Sequence, residues 1–263
     1  MAFRGINRKR DFAGVSVHNS QVAAGRTRGV ETIRDRLDMA REAIAASLEG
    51  GRRTPGDVRI MAVTKMHPPD TVREVIDAGI GLIGENRVSE GGRKIRALGR
   101  ESAEFHLIGP PHRKELRQAL RDFHSIDAVD RLEVALEIVR RLSAGEYPRP
   151  GILLEVNTSG EGSKAGFEPD AGLLEEVLGR LADEGLVVDG FLTVGPLGAG
   201  ESAVRSAFAR LRRLRDGLSR TLGQPFSELS MGMSDDFHWA AAEGATTVRL
   251  GRYLLGERPE RSG

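Results

Sequence analysis

The chain has 263 residues, no cysteine and a formal net charge of +1. Those facts exclude disulfides, thiolate catalysis and Cys-based zinc or iron–sulfur sites, and no whole-protein field points to nucleic acid or a membrane surface. Hydrophobic residues make up 39% and charged residues 29%, a composition that supplies a large core. No apolar run approaches the roughly 18–20 residues of a membrane span, and Met1-Ala2-Phe3-Arg4-Gly5 lacks the apolar centre of a signal peptide, so the cytoplasm is the default compartment.

Residues 1–28 stand apart. Arg4, Arg8, Lys9, Arg10, Arg26 and Arg28 face only Asp11, and the remainder shows no period. The stretch reads as a basic, flexible extension. It lacks the aromatic interleaving of a nucleic-acid stacking platform. A folded domain is expected over 29–258, with a short tail at 259–263.

From Val30 onward, apolar residues recur at three- and four-residue spacing (Ile33, Leu37, Ala40, Ile44, Leu48), which predicts an amphipathic helix. Strands and helices then alternate. Strands are expected at 59–64, 82–84, 104–108, 124–126, 151–156, 187–192, 228–231 and 247–250. Helices are expected at 71–78, 88–98, 114–120, 131–142, 173–182, 204–218 and 237–243. Eight strand–helix units over this length predict a single (β/α)8 TIM barrel, a parallel sheet closed on itself. The first helix would then occupy the place of the last outer helix of the ring. An open doubly wound sheet is the alternative, weakened by the lack of Gly-x-Gly-x-x-Gly after the first strand.

The ends of these strands hold the candidate chemistry, because in such a barrel they converge on one mouth. Lys65 follows the first strand. Burial lowers a lysine pKa, and a neutral amine forms a Schiff base with an aldehyde; the plainer reading is a surface lysine just past a strand. Glu85-Asn86 follow the second strand, His106 lies within the third, and Asn157 and Ser159 follow the fifth. Asn86 and Asn157 could instead serve as turn residues, and His106 as a satisfied core histidine. Ser230-Met231-Gly232-Met233-Ser234 follows the seventh strand, and Arg249-Leu250-Gly251 ends the eighth. Main-chain N–H groups there suit a phosphate, with Asp235 and Asp236 expected to point outward. Together the parts suggest a small phosphorylated aldehyde held at both ends, and pyridoxal 5′-phosphate meets both requirements.

Six segments carry a resemblance. They are Ala62-Val63-Thr64-Lys65 with Pro68; Gly84-Glu85-Asn86-Arg87-Val88; His106-Leu107-Ile108-Gly109-Pro110; Glu155-Val156-Asn157-Thr158-Ser159 with Lys164-Ala165-Gly166; Leu229-Ser230-Met231-Gly232-Met233-Ser234 with Asp236; and Val248-Arg249-Leu250-Gly251-Arg252. In this order they resemble the pyridoxal phosphate homeostasis protein family, whose barrel is similar to the N-terminal domain of alanine racemase. The resemblance implies pyridoxal phosphate held as a Schiff base on Lys65, with Asn86, His106, Ser230, Met231, Gly232, Arg249 and Gly251 around it. It implies Arg249 at either the phosphate or the ring nitrogen. The chain is further expected to be a monomeric, non-catalytic carrier that buffers the cofactor and delivers it to pyridoxal-dependent apoenzymes, with no nucleic-acid or membrane partner.

Two segments depart from the family pattern. Pro111-His112-Arg113-Lys114 is one residue shorter than usual, and Thr193-Val194-Gly195-Pro196 replaces a Met-x-x-Pro pattern. The alternative functions are a pyridoxal-dependent amino-acid racemase and an aldolase-like barrel using Lys65 without a cofactor. A racemase needs a second base opposite Lys65. Tyr253 is the candidate, since Tyr147 is expected on the far side and no further domain is expected after the eighth strand.

Overall fold

The computed structural model describes residues 31–145, 147–162 and 164–257. The expected extension 1–28 and tail 259–263 lie outside the described residues. Eight parallel strands form a closed barrel in sequence order: β1 (Arg59–Val63), β2 (Leu82–Glu85), β3 (Glu104–Leu107), β4 (Ser125–Val129), β5 (Gly151–Glu155), β6 (Gly190–Leu192), β7 (Glu228–Ser230) and β8 (Thr247–Leu250). β8 pairs with β1 to complete the ring, with Met61 opposite Arg249 and Ala62 opposite Leu250. This is the expected (β/α)8 barrel.

The helices are α1 (Ile33–Ser47), α2 (Pro69–Asp77), α3 (Val88–Leu98), α4 (Leu116–Asp122), α5 (Leu132–Leu142), α6 (Ala171–Asp183), α7 (Glu201–Leu222), α8 (Phe237–Ala242) and α9 (Arg252–Leu255). α1 starts on a capping box. The Thr32 hydroxyl accepts from the Asp35 N–H at 3.2 Å, and the Asp35 carboxylate accepts from the Thr32 N–H at 2.9 Å. Its buried stripe of Leu37, Ala40 and Ile44 packs against α8 and α9, as expected for a helix that precedes the first strand. None of these helices is long and apolar enough to cross a membrane.

Several boundaries differ from expectation. β6 begins at Gly190 rather than at Val187. The Asp189 main chain already bridges its neighbours there, its N–H donating to Ile152 O at 2.8 Å and its carbonyl accepting from Glu228 N–H at 3.0 Å. The helix expected at 114–120 is split into a single 3-10 turn, Arg113–Glu115, followed by α4.

Alternation along the strands sorts their side chains. One set, including Ala62, Ile83, Phe105, Ile126, Ile152, Leu154 and Phe191, packs outward beneath the helices as the main apolar core. The other set faces the lumen and is unusually polar. Arg59 pairs with Glu104, Glu104 with His106, and His106 with Asp127, whose other oxygen accepts from Ser125. Buried charges persist only when paired or hydrogen-bonded, and each member of this ladder has a partner on its own strand, on the adjacent strand or, for Arg59 and Glu104, two strands round the ring.

Candidate functional site

The strand ends bring Lys65, Asn86, Ser230, Met231, Gly232, Arg249 and Gly251 to one end of the barrel. Lys65 lies two residues beyond Val63, the last residue of β1, and is half-buried. Gly251 lies against the same strand end. A Cβ on Gly251 would sit 3.5 Å from Val63 O and 3.6 Å from Val63 Cβ. Asn86 follows β2 and is exposed, and its carbonyl is where the next loop crosses. A Cβ on Gly109 would sit 2.2 Å from Asn86 O, so only glycine permits that crossing.

The loop after β7 is tightly built. Gly232 has φ +94°, and a Cβ there would fall 2.5 Å from the Ala240 Cβ and 3.1 Å from the Phe237 Cα. Both facts demand glycine. Asp236 accepts from the Met233 N–H at 2.5 Å, and the Ser234 hydroxyl accepts from the Tyr253 N–H at 3.1 Å, tying this loop to the start of α9. Among the described residues, the N–H groups of Gly232, Ser234 and Gly251 have no hydrogen-bond acceptor. Gly232 is also buried. Buried N–H groups are rarely left unpaired, so this end of the barrel suits an anionic group of a ligand.

Substitution of Gly232 by alanine is expected to cost about 3 kcal/mol, from a left-handed backbone imposed on an L side chain plus overpacking against Ala240. Urea unfolding of Gly232→Ala against the parent chain measures it. A loss under about 0.5 kcal/mol, the range of neutral surface changes, would contradict the geometry.

Arg249 is 4% exposed and extends into the lumen below the mouth. It donates to Ser230 Oγ at 2.9 Å and to Thr193 O at 2.8 Å. Burial pulls its guanidinium below the usual range, opposed by the carboxylates of Asp127, Glu155 and Asp236. Burial pushes Glu155 up to about 7, against the pull of Arg249 and with repulsion from Asp130 added. Asp235 and Asp236 were both expected to point outward. Asp235 does so and pairs with Arg252 at 2.6 Å. Asp236 does not: it is 9% exposed, because its carboxylate turns inward to cap the Met233 N–H. Burial pushes its carboxyl up, against that hydrogen bond and the charge of Arg249.

His106 sits deeper, 8% exposed, with both ring nitrogens engaged. Nδ1 is 2.9 Å from Asp127 and Nε2 is 2.8 Å from Glu104. Burial opposes its charge, but these carboxylates prevail and push the imidazole up to about 9. The hydrogen bond from His106 in turn draws Glu104 down to about 2, against partial burial. Asn157 takes the plainer role. Its amide donates to Glu161 O at 2.8 Å, and its carbonyl oxygen accepts from the Ser159 hydroxyl, also at 2.8 Å, so it builds its own loop.

One constellation was not expected from sequence. Lys94 of α3 is 3% exposed, and its Nζ donates to Thr64 O at 2.7 Å, Glu85 Oε1 at 2.7 Å and Glu90 Oε1 at 2.8 Å. The hydroxyl of Thr64 also donates to Glu85. Glu85 ends β2 with its side chain wholly buried and Oε2 without a partner. The available signal was the helical period, which places Lys94 on the same buried face as Val88, Gly91 and Ile95.

A closed parallel barrel with these features at the carboxyl ends of its strands defines an alanine racemase N-terminal-domain fold, and the model for "Alanine racemase, N-terminal domain" matches residues 40–259. More narrowly, the chain belongs to the pyridoxal phosphate homeostasis protein family. It is 35% identical to the pyridoxal phosphate homeostasis protein of Aquifex aeolicus, across 85% of this chain and 97% of that one. It is 36% identical to that of Pseudomonas aeruginosa, across 87% and 97%. The structure of PipY from Synechococcus elongatus with PLP bound superposes with a TM-score of 0.73 at 30% identity, covering 86% of this chain and all of PipY.

Proposed function

We propose that this protein binds pyridoxal 5′-phosphate and acts in intracellular pyridoxal phosphate homeostasis as a non-catalytic, monomeric carrier. The single observation that carries the reading is the pairing of an amine-bearing residue, Lys65, with unpaired N–H donors at Gly232 and Gly251 on one rim. When bound, the cofactor supplies an electrophilic aldehyde and a phosphate.

Lys65 provides the amine for attachment. The main chain at Gly232, Ser234 and Gly251 receives the phosphate without a basic side chain, and Asn86 borders the opening. Ser230 and Met231 are buried at the end of β7 and form the floor, with Ser230 oriented by Arg249. Arg249 would supply positive charge close to the bound group. Two of its five N–H donors are directed to Ser230 Oγ and Thr193 O, which fixes the guanidinium in place. His106 supports the site from below through Asp127, which also faces Arg249. The names of the curated relatives and the pyridoxal phosphate bound to PipY support this reading. Release to recipient apoenzymes in the cytoplasm completes the proposed role.

The racemase alternative needs a base opposite Lys65. Tyr253 is half-buried, with its ring edge-on to Phe237 at 5.0 Å between centroids. Tyr147 lies with Arg149 and Glu184 near the start of β5, at the opposite end of the barrel. Borohydride reduction in the presence of pyridoxal phosphate, followed by peptide mapping, is expected to place the label on Lys65; label on another lysine refutes the assignment. With L-alanine supplied, no inversion at Cα is expected, and measurable racemisation would overturn the carrier reading.

A further inference from the structure

We propose that Lys94, Glu85 and Glu90 form a buried clamp that positions the Lys65 amine by gripping the main chain on both sides of it; this rests on Lys65 being the attachment residue. Lys94 and Glu90 are thus positioning residues. The ammonium of Lys94 has three N–H donors, and three acceptors surround it within 2.8 Å. One of these is the carbonyl of Thr64, directly before Lys65. On the other side, the Met66 N–H donates to Glu90 Oε1 at 2.5 Å. The oxygen that holds Met66 is therefore the same one that holds Lys94.

The backbone supplies an independent sign. Among the described residues, Met66 is the only non-glycine residue with positive φ, at 69°. A left-handed conformation is unfavourable for such a side chain and persists only where neighbours enforce it. Here the His67 N–H closes the turn onto Thr64 O at 3.0 Å, and the Glu90 carboxylate, on a different element, holds its left-handed residue from outside. The turn ends the extended run of β1, so its geometry decides how Lys65 leaves the barrel wall. Glu85 adds a second hold on Thr64 through the hydroxyl. A bare carboxylate oxygen sealed in a protein interior is costly, and the Glu85 Oε2 is such an atom. It is tolerated in a cluster that fixes a reactive residue. Burial pushes the Glu85 carboxyl up, against Lys94. The Glu90 carboxyl is pushed up by burial as well, but hydrogen bonds from Lys94 and the Met66 N–H, with the charges of Lys94 and Arg93, hold it below its usual range.

Removing Lys94 would leave the buried Glu85 carboxylate facing the half-buried Glu90 carboxylate and risks the fold. Glu90 has a side chain 17% exposed and allows a safer pair of variants. Glu90→Gln keeps an oxygen that accepts from both Met66 and Lys94, whereas Glu90→Ala removes it. Lys65 reactivity is read by competitive labelling with acetic anhydride and mass spectrometry, without any cofactor present. Glu90→Ala is expected to slow Lys65 acetylation about tenfold, on the scale of one charge-assisted hydrogen bond, while Glu90→Gln stays within about twofold of the parent. Acetylation of Lys94 in the same digest reports whether the cluster has opened to solvent. Parent-like Lys65 labelling in Glu90→Ala overturns the clamp, and so does an equal loss in both variants. Because the probe is a simple acylating agent, the result does not depend on where pyridoxal phosphate attaches, which borohydride mapping decides separately.

Discussion

Lys65→Ala should abolish the borohydride-fixed attachment of pyridoxal phosphate and the visible absorbance that accompanies it, while leaving the protein folded. Lys65 is half-buried at the rim, beyond the last residue of β1, and the packed side chains of Met61, Ala62 and Val63 lie below it. Truncation there removes no member of the apolar core, so the stability change should stay within about 1 kcal/mol, below the cost of a core truncation. Non-covalent binding through the phosphate should survive in weakened form, because its donors are main-chain atoms that no side-chain substitution at position 65 deletes. Spectrophotometric titration and urea unfolding on one preparation separate the two effects. A parent-like spectrum in the variant would refute Lys65 as the attachment point. A collapsed circular-dichroism spectrum would make it a structural lysine instead.

His106 should make the barrel markedly pH-sensitive. Its folded value, about 9, lies above the ordinary 6.5. A raised value means that its contribution is fully present below about pH 6.5 and is lost as pH climbs through about 9. The difference amounts to about 3 kcal/mol at most. Glu104 acts in the opposite direction: drawn down to about 2, it contributes above its ordinary range and loses that contribution in acid. It is partly exposed, so solvent screening diminishes its share. Urea unfolding at pH 6 and at pH 9.5 should therefore show the parent losing up to about 3 kcal/mol more than His106→Gln between the two conditions. Parallel losses would mean that the imidazole is not held charged by Asp127 and Glu104.

Much of this was legible in the sequence, for physical reasons. The strand at Gly151–Glu155 and the helix at Leu132–Leu142 announce themselves through an apolar run and an amphipathic period, signals set by burial within one element. Strand ends could be lined up because a parallel barrel sends all of them to one rim. Local spacing could not reveal partners contributed by other elements. Asp127 meets His106 only through the β3–β4 register, in which His106 lies opposite Ser125. Lys94 meets Thr64 only after α3 folds back over the start of the β1–α2 loop. Asp236 misled because a charged residue beside a loop is ordinarily solvated, whereas here an unpaired N–H drew it inward. Glu104 was more accessible. It lies two residues before His106 on one strand, and period-two alternation alone puts both on the same face.

The pairing of β1 with β8 also has a kinetic meaning. The amine at position 65 follows the first strand made, and Gly251 follows the last, so a ribosome must deliver nearly the whole domain before the two meet. Until then β1 offers a raw edge with no neighbour on one side. On the proposed binding mode, capture of the aldehyde with its anionic tail anchored would be a signature of ring closure, and a nascent chain stalled before β8 would display the Lys65 amine without that grip.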